Sequence, residues 1–186
     1  MISLEGNVGV GKSTVLRELE RRGIRVHFEA VDHWTLLEPF YREPARFGFG
    51  FQLQVLASYA ATPIQTQVVE RSCDAALGVF VPLALRNRHL THEESDELHR
   101  VANMLPLPLI RRFVFLVAPT ELCFRRIAWR NRDGEERITL EYLQQLEEFY
   151  ERFMNAIPDN EKLVLHIQEV DSPADIADLI IRELGL

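Results

Sequence analysis

The sequence predicts an α/β fold with a central parallel sheet flanked by helices, and three observations point to it. Short apolar runs suited to buried strands alternate with longer stretches of helical period. A glycine-rich loop lies between the first such strand and the first such helix. The chain has 186 residues and 47% hydrophobic content, enough for one well-buried core and too little for two ordinary domains, so residues 1–186 are expected to form a single domain.

Ile2-Ser3-Leu4 reads as the first strand, and GNVGVGKST, residues 6–14, follows it. The stretch fits a glycine, four residues and then Gly-Lys-Ser/Thr, running from Gly6 through Asn7, Val8, Gly9 and Val10 to Gly11, Lys12, Ser13 and Thr14. Its glycines allow the backbone N–H groups to turn inward around an anion, and the helix over 13–22 presents its N-terminus to the same point. Lys12 is placed to reach the outer phosphates of a bound nucleotide, and Ser13 to ligate magnesium.

Gly23 then ends the helix, and Ile24 to Phe28 alternates as a strand that stops at Glu29. Phe51 to Ala61 is helical up to Pro63, and Ile64 to Val69 is a strand leading into Glu70-Arg71-Ser72. Thr91 and Glu94 have the spacing of a capping box, starting a charged, solvated helix that runs toward Asn103. Phe113 to Val117 and Leu163 to Ile167 read as buried parallel strands, with helices over roughly 120–131, 138–156 and 173–184. In such sheets ligands collect at the C-terminal strand ends, which puts the phosphate loop, Glu29 and Glu70-Arg71-Ser72 on one rim.

The net charge of −7 argues against a nucleic-acid polymer as partner. Cys73 and Cys123 make neither a disulfide framework nor a zinc site. No apolar run reaches the ~18 residues of a membrane span, and the first strand begins at residue 2, so a cytoplasmic protein without membrane attachment is expected.

Glu29, read alone, is either a general base for an acceptor hydroxyl or a solvated strand-end charge. Trp34 and Tyr41 nearby favour a ring-bearing hydroxyl compound as ligand. Gln52 offers a donor and an acceptor on one planar amide, which suits a base edge as well as an ordinary polar helix face. Phe80 and Trp34 serve equally as core aromatics or as flanks of a base, although charged Asp32 and His33 beside Trp34 favour a cleft. Arg125 to Arg132 is the one concentrated basic stretch. It suits a lid over about 125–136 that closes on a migrating phosphoryl group, with Arg130 and Arg132 as its contacts.

Taken in order, GNVGVGKST, Glu29 with Trp34, FYREP at 40–44, FQ at 51–52, ERS at 70–72 and WRNRDGEE at 129–136 followed by LEYLQQL resemble the deoxynucleoside kinase family. That resemblance implies a P-loop kinase fold with an arginine-rich lid. It implies transfer of the γ-phosphoryl group of ATP, with magnesium, to the 5′-hydroxyl of a deoxyribonucleoside. It further implies Glu29 as the base, Arg71 orienting it, and Glu70 near the magnesium held by Ser13, with Glu70 also a plausible proton acceptor. Tyr41 and Glu136 would bind the 3′-hydroxyl, Gln52 would read the base edge, Trp34 and Phe80 would flank the base, and the protein would be a homodimer.

Two details depart from the family pattern: Ala30 follows Glu29 where a proline is usual, and Gly134 lengthens the lid by one residue, which leaves the alignment of Glu135 and Glu136 open by one position. Glu38-Pro39 is a decoy, because no strand end delivers Glu38. One alternative is a monophosphate kinase of the thymidylate kinase type, which Glu29 argues against because a carboxylate repels an acceptor phosphate. The other is a non-catalytic nucleotide-binding subunit. On the base, relatives that favour deoxycytidine carry an aspartate where this chain has Ala76. Gln52, Val55 and Tyr59 share one helix face, and the bulk of Tyr59 narrows the cleft against purines, so thymidine and deoxycytidine are the expected substrates.

Overall fold

Five short strands carry the fold: β1 (Ile2–Glu5), β2 (Val26–His27), β3 (Val68–Glu70), β4 (Arg112–Val117) and β5 (Lys162–His166). The computed structural model describes residues 1–186 and orders them β2-β3-β1-β4-β5, each neighbouring pair parallel. Alternation along β4 builds the two layers. Val114 and Leu116 face one way, into a core completed by α1 (Lys12–Arg21), α7 (Thr120–Arg130) and α9 (Pro173–Leu184). Phe113 and Phe115 face the other way, onto Leu146, Phe149 and Tyr150 of α8 (Leu140–Ala156) together with Val79 and Leu83. A third apolar cluster joins α3 (Pro44–Ala60), α5 (Val81–Arg86) and α6 (His92–Met104).

The capping box forms as expected: Glu94 N–H donates to Thr91 Oγ1 at 3.1 Å and Thr91 N–H to Glu94 Oε2 at 2.8 Å. Gly23 closes α1 with a φ of 86° and a bond from its N–H to Glu20 O. The strands expected at 24–28 and 64–69 shrink to two and three residues. The reason is pairing: β2 is an edge strand whose one partner, β3, starts at Val68, while Ile64 lies in a turn and is 97% exposed. Conversely α3 begins at Pro44, seven residues before the predicted start, because Pro44 is preorganised for the first helical turn. Gly48 is tolerated within α3 because a Cβ there would lie 2.5 Å from His89 O.

Two helical pieces were not predicted. One is α2 (Leu37–Arg42). The other runs from α4 (Cys73–Ala75) through a π-helical turn, Ala76–Phe80, into α5. Pro82 accounts for the wide turn, since it cannot donate to Gly78 and its ring crowds that carbonyl. The helix expected over roughly 120–131 is α7, and the chain leaves it at Asn131, in the left-handed region at φ 49°. No helix is long and apolar enough to cross a membrane.

Candidate active site

Strand ends deliver the charged groups to one rim. β1 runs into the loop at Gly6, β3 ends on Glu70, and Glu29 follows β2 by two residues. The loop wraps tightly on α7: a Cβ at Gly9, whose φ is 82°, would lie 2.5 Å from Cys123 O. Asn7 pins the loop from below, donating to Leu143 O at 2.9 Å and accepting from Val8 N–H at 2.8 Å. Ser13 Oγ donates to Glu70 Oε1 at 2.6 Å, so a hydroxyl and a carboxylate stand together at the start of α1.

Lys12 is 5% exposed and folds its ammonium back onto Gly6 O at 3.0 Å and Asn7 O at 2.9 Å. Burial lowers its pKa to about 8, with the Arg71 charge acting in the same direction. A bound polyphosphate restores the charge, so binding takes up a proton wherever free Lys12 is already neutral. Nucleotide affinity is therefore constant below this pKa and weakens by up to about tenfold per pH unit above it. Calorimetry in two buffers of different ionisation enthalpy checks this: proton uptake should be near zero at about pH 6.5 and approach one proton above pH ~8.5. Uptake that is flat across that range removes Lys12 as the titrating phosphate contact.

Across the cleft, Arg71 and Glu29 form a buried ion pair, with side-chain exposures of 9% and 8%. Arg71 adopts φ 61°, in the sparsely populated left-handed region, and its backbone N–H donates to Leu4 O. Three aromatic groups fix the pair. Arg71 Nε donates to Tyr150 Oη at 3.1 Å, the guanidinium lies 5.0 Å over the Phe80 ring, and Tyr59 Oη donates to Glu29 at 3.4 Å. Burial pushes the Glu29 carboxyl above its ordinary value, and the Arg71 charge opposes this. Arg71 Nη2 is buried without a partner, as is Oε2 of the fully buried Glu5.

One cavity of about 830 Å³ connects the two ends. One end is lined by the loop, Arg126, Trp129, Arg130 and Arg132, with Asp171 before α9 and Pro173 and Ile176 within it. The other end is lined by Glu29, Trp34, Phe40, Tyr41, Gln52, Val55, Tyr59, Ala76, Phe80 and His89. Sequence-expected positions from α1, α2, α3, α7 and the π-helical turn, and from the ends of β2 and β3, thus meet in one space. Trp34 stands edge-on to Phe51 and donates from its indole N–H to Ser58 Oγ at 3.2 Å, while Phe51 stacks on Phe40 at 4.9 Å.

Glu136 is placed elsewhere. Its side chain is 68% exposed and outside the cavity, whereas Glu135 is 5% exposed and lines it. Gly134, at φ 85°, starts a 3₁₀ turn directly against the Tyr41 ring, and that turn carries Glu135 inward. Glu135 receives Arg130 at 2.6 to 3.0 Å and lies 3.6 Å from Arg132, so the two arginines are gathered on one carboxylate. Glu38 pairs with Arg42, half exposed and outside the cavity.

Arg126 is the arginine that sequence reasoning passed over: it donates to Val10 O at 2.8 Å and so sits on the phosphate loop itself. The signal was present, since Arg126 and Arg130 are one helical turn apart and share a face. Phe40 and His89 carried no such signal, because α2 and the turn after α5 were not read.

The described geometry has counterparts in known proteins. A family model described as deoxynucleoside kinase matches residues 2–183. A putative deoxynucleoside kinase of Frog virus 3 is 33% identical over 160 residues, covering 82% of this chain and 81% of the viral protein. The thymidine kinase of Ictalurid herpesvirus 1 is 30% identical, covering 97% of this chain and 84% of that protein. In fold, the chain superposes with a TM-score of 0.85 on deoxyadenosine kinase from M. mycoides, solved with the products dCMP and a flexible dCDP bound; that structure is 21% identical and covers 99% of this chain and 97% of its own. A phosphate loop, a buried carboxylate–arginine pair facing it and these relatives together identify the chain as a member of the deoxynucleoside kinase family, ATP-dependent enzymes that phosphorylate deoxynucleosides.

Proposed function

We propose that this kinase acts on pyrimidine deoxynucleosides, thymidine at least as well as deoxycytidine, with Glu29 taking the proton of the 5′-hydroxyl. The observation that carries the reading is the buried Glu29–Arg71 pair, which faces Lys12 and Ser13 across one cavity whose far end holds Gln52. A neutral hydroxyl suits this acceptor end, because Glu29 already pairs with Arg71 and its carboxylate would repel an acceptor phosphate. Arg71, which lines the cavity, would orient the hydroxyl and the carboxylate as Glu29 removes the proton.

Ser13 Oγ and Glu70, both oxygen donors, suit a hard cation such as magnesium, which in a kinase neutralises charge on the donor phosphates. Tyr41 with Glu135, rather than Glu136, would hold the 3′-hydroxyl, since the Glu135 charge is among those acting on the Tyr41 phenol. Arg126 joins Arg130 and Arg132 as a cation for the migrating phosphoryl group; positioning and electrostatics then supply the rate. The homodimer, which rests on the resemblance, and the cytoplasmic location, which rests on the sequence reading, belong to the same proposal.

Ala76 offers no carboxylate to an exocyclic amino group, and Tyr59, 6% exposed against the cavity wall, limits its width. Magnesium-ATP assays with all four deoxynucleosides and their monophosphates test the reading. Thymidine and deoxycytidine should show the highest kcat/KM, and Tyr59→Ala should raise purine activity. A purine that surpasses both pyrimidines overturns the base assignment, and turnover of monophosphates alone overturns the acceptor.

A further inference from the structure

His89 is a cavity-lining side chain that the reading above leaves without work. Its position is built rather than incidental. After α5 the chain reverses through Arg88, a non-glycine residue at φ 59°, and His89 N–H donates to Ala84 O at 2.8 Å. His89 O then packs on Gly48 of α3, closely enough that any Cβ there would collide with it. Gly48 and Gln52 are one turn apart on the same face of that helix. The His89 ring meets the edge of Phe40 at 6.1 Å, and Phe40 stacks on Phe51, the neighbour of Gln52. His89 and Gln52 thus both line the cavity at its acceptor end, and neither side chain is hydrogen-bonded within the chain.

We propose that His89 is a specificity-determining residue which, beside Gln52, reads the exocyclic group of the base; the proposal rests on the pyrimidine reading above. An amide can satisfy only half of such a group. A 4-oxo group has two lone pairs and a 4-amino group two hydrogens, and Gln52 takes one of each pair. The second falls to His89. As neutral imidazole it donates to the oxo group or accepts from the amino group, according to its tautomer, so thymidine and deoxycytidine are both served. As imidazolium it only donates, which keeps the bond to an oxo group and sets a donor against an amino group.

Burial lowers the His89 pKa, so the neutral form prevails at neutral pH. The charged and titratable groups on the surrounding elements are Glu38 and Arg42 of α2, paired with each other, Tyr41 beside them, Glu43 and Arg46 at the start of α3, Arg86 paired with Glu148 of α8, Arg88, and His92 of α6. Desolvation alone accounts for the shift.

Internal competition between thymidine and deoxycytidine in one reaction tests this, because the ratio of their kcat/KM values does not depend on how much enzyme is folded. From roughly pH 8 to pH 5.5 the wild-type ratio should rise in favour of thymidine, by less than about tenfold because burial holds the His89 pKa below its ordinary value. The ratio for His89→Phe should stay flat. A flat wild-type ratio, or an equal rise in His89→Phe, overturns the role of His89. If neither pyrimidine reacts, the pyrimidine reading fails separately, and deoxyguanosine against deoxyadenosine, which carry the same oxo and amino contrast, measures the same ratio.

Discussion

Glu29→Gln is expected to lower kcat at least about a hundredfold with little change in deoxynucleoside affinity, the signature of a lost general base. Glutamine keeps the shape and the hydrogen bond from Tyr59 but cannot take the proton. The environment of Glu29 supports the role. Burial raises its pKa and so its basicity, while Arg71 keeps enough of the carboxylate ionised to act. The acid limb of kcat/KM in the wild type therefore lies above the ordinary carboxylate range. That limb should vanish in the variant. Glu70→Gln also costs activity, but through Ser13 and the cation, so raising magnesium should restore part of it. Glu38→Gln should leave turnover unchanged, since Glu38 is spent on Arg42 outside the cavity. If magnesium does not help Glu70→Gln while Glu29→Gln keeps its turnover, Glu70 is the proton acceptor.

Local chemistry is what the sequence made legible. The phosphate loop, the capping box and the apolar run of β4 each carry their signal within a few residues, and each forms where expected. Strand lengths were not legible, because β2 and β3 are limited by the partner they pair with, and no local pattern reports that. The π turn at Ala76–Phe80 escaped for a similar reason: Pro82 reads as a breaker, yet the wall of buried Val79, Val81 and Leu83 keeps the chain helical around it. In the lid, both glutamates were visible and only the turn at Gly134 decides between them. Glu135 rather than Glu136 enters the cavity because that glycine adopts a left-handed conformation against Tyr41.

Arg71→Met is expected to cost about 3–5 kcal/mol of stability, more than removing both partners together. Methionine fills most of the arginine volume, so the cost is electrostatic: the 8% exposed Glu29 carboxylate loses its counter-charge inside the protein. Glu29→Gln/Arg71→Met should recover much of the loss, giving a large coupling energy in the double-mutant cycle. The pH dependence has a definite sign. Without Arg71 the folded-state pKa of Glu29, already raised by burial, rises further above its unfolded value. The deficit of Arg71→Met should then be small at acid pH, where Glu29 is protonated in both folded proteins, and should grow as pH rises from the wild-type folded pKa to the higher one of the variant. Urea unfolding midpoints at about pH 5 and pH 8, with m-values compared, measure both effects. A deficit that is equal at the two pH values, or an additive cycle, means the guanidinium supports the fold through Tyr150 and Phe80 rather than through Glu29.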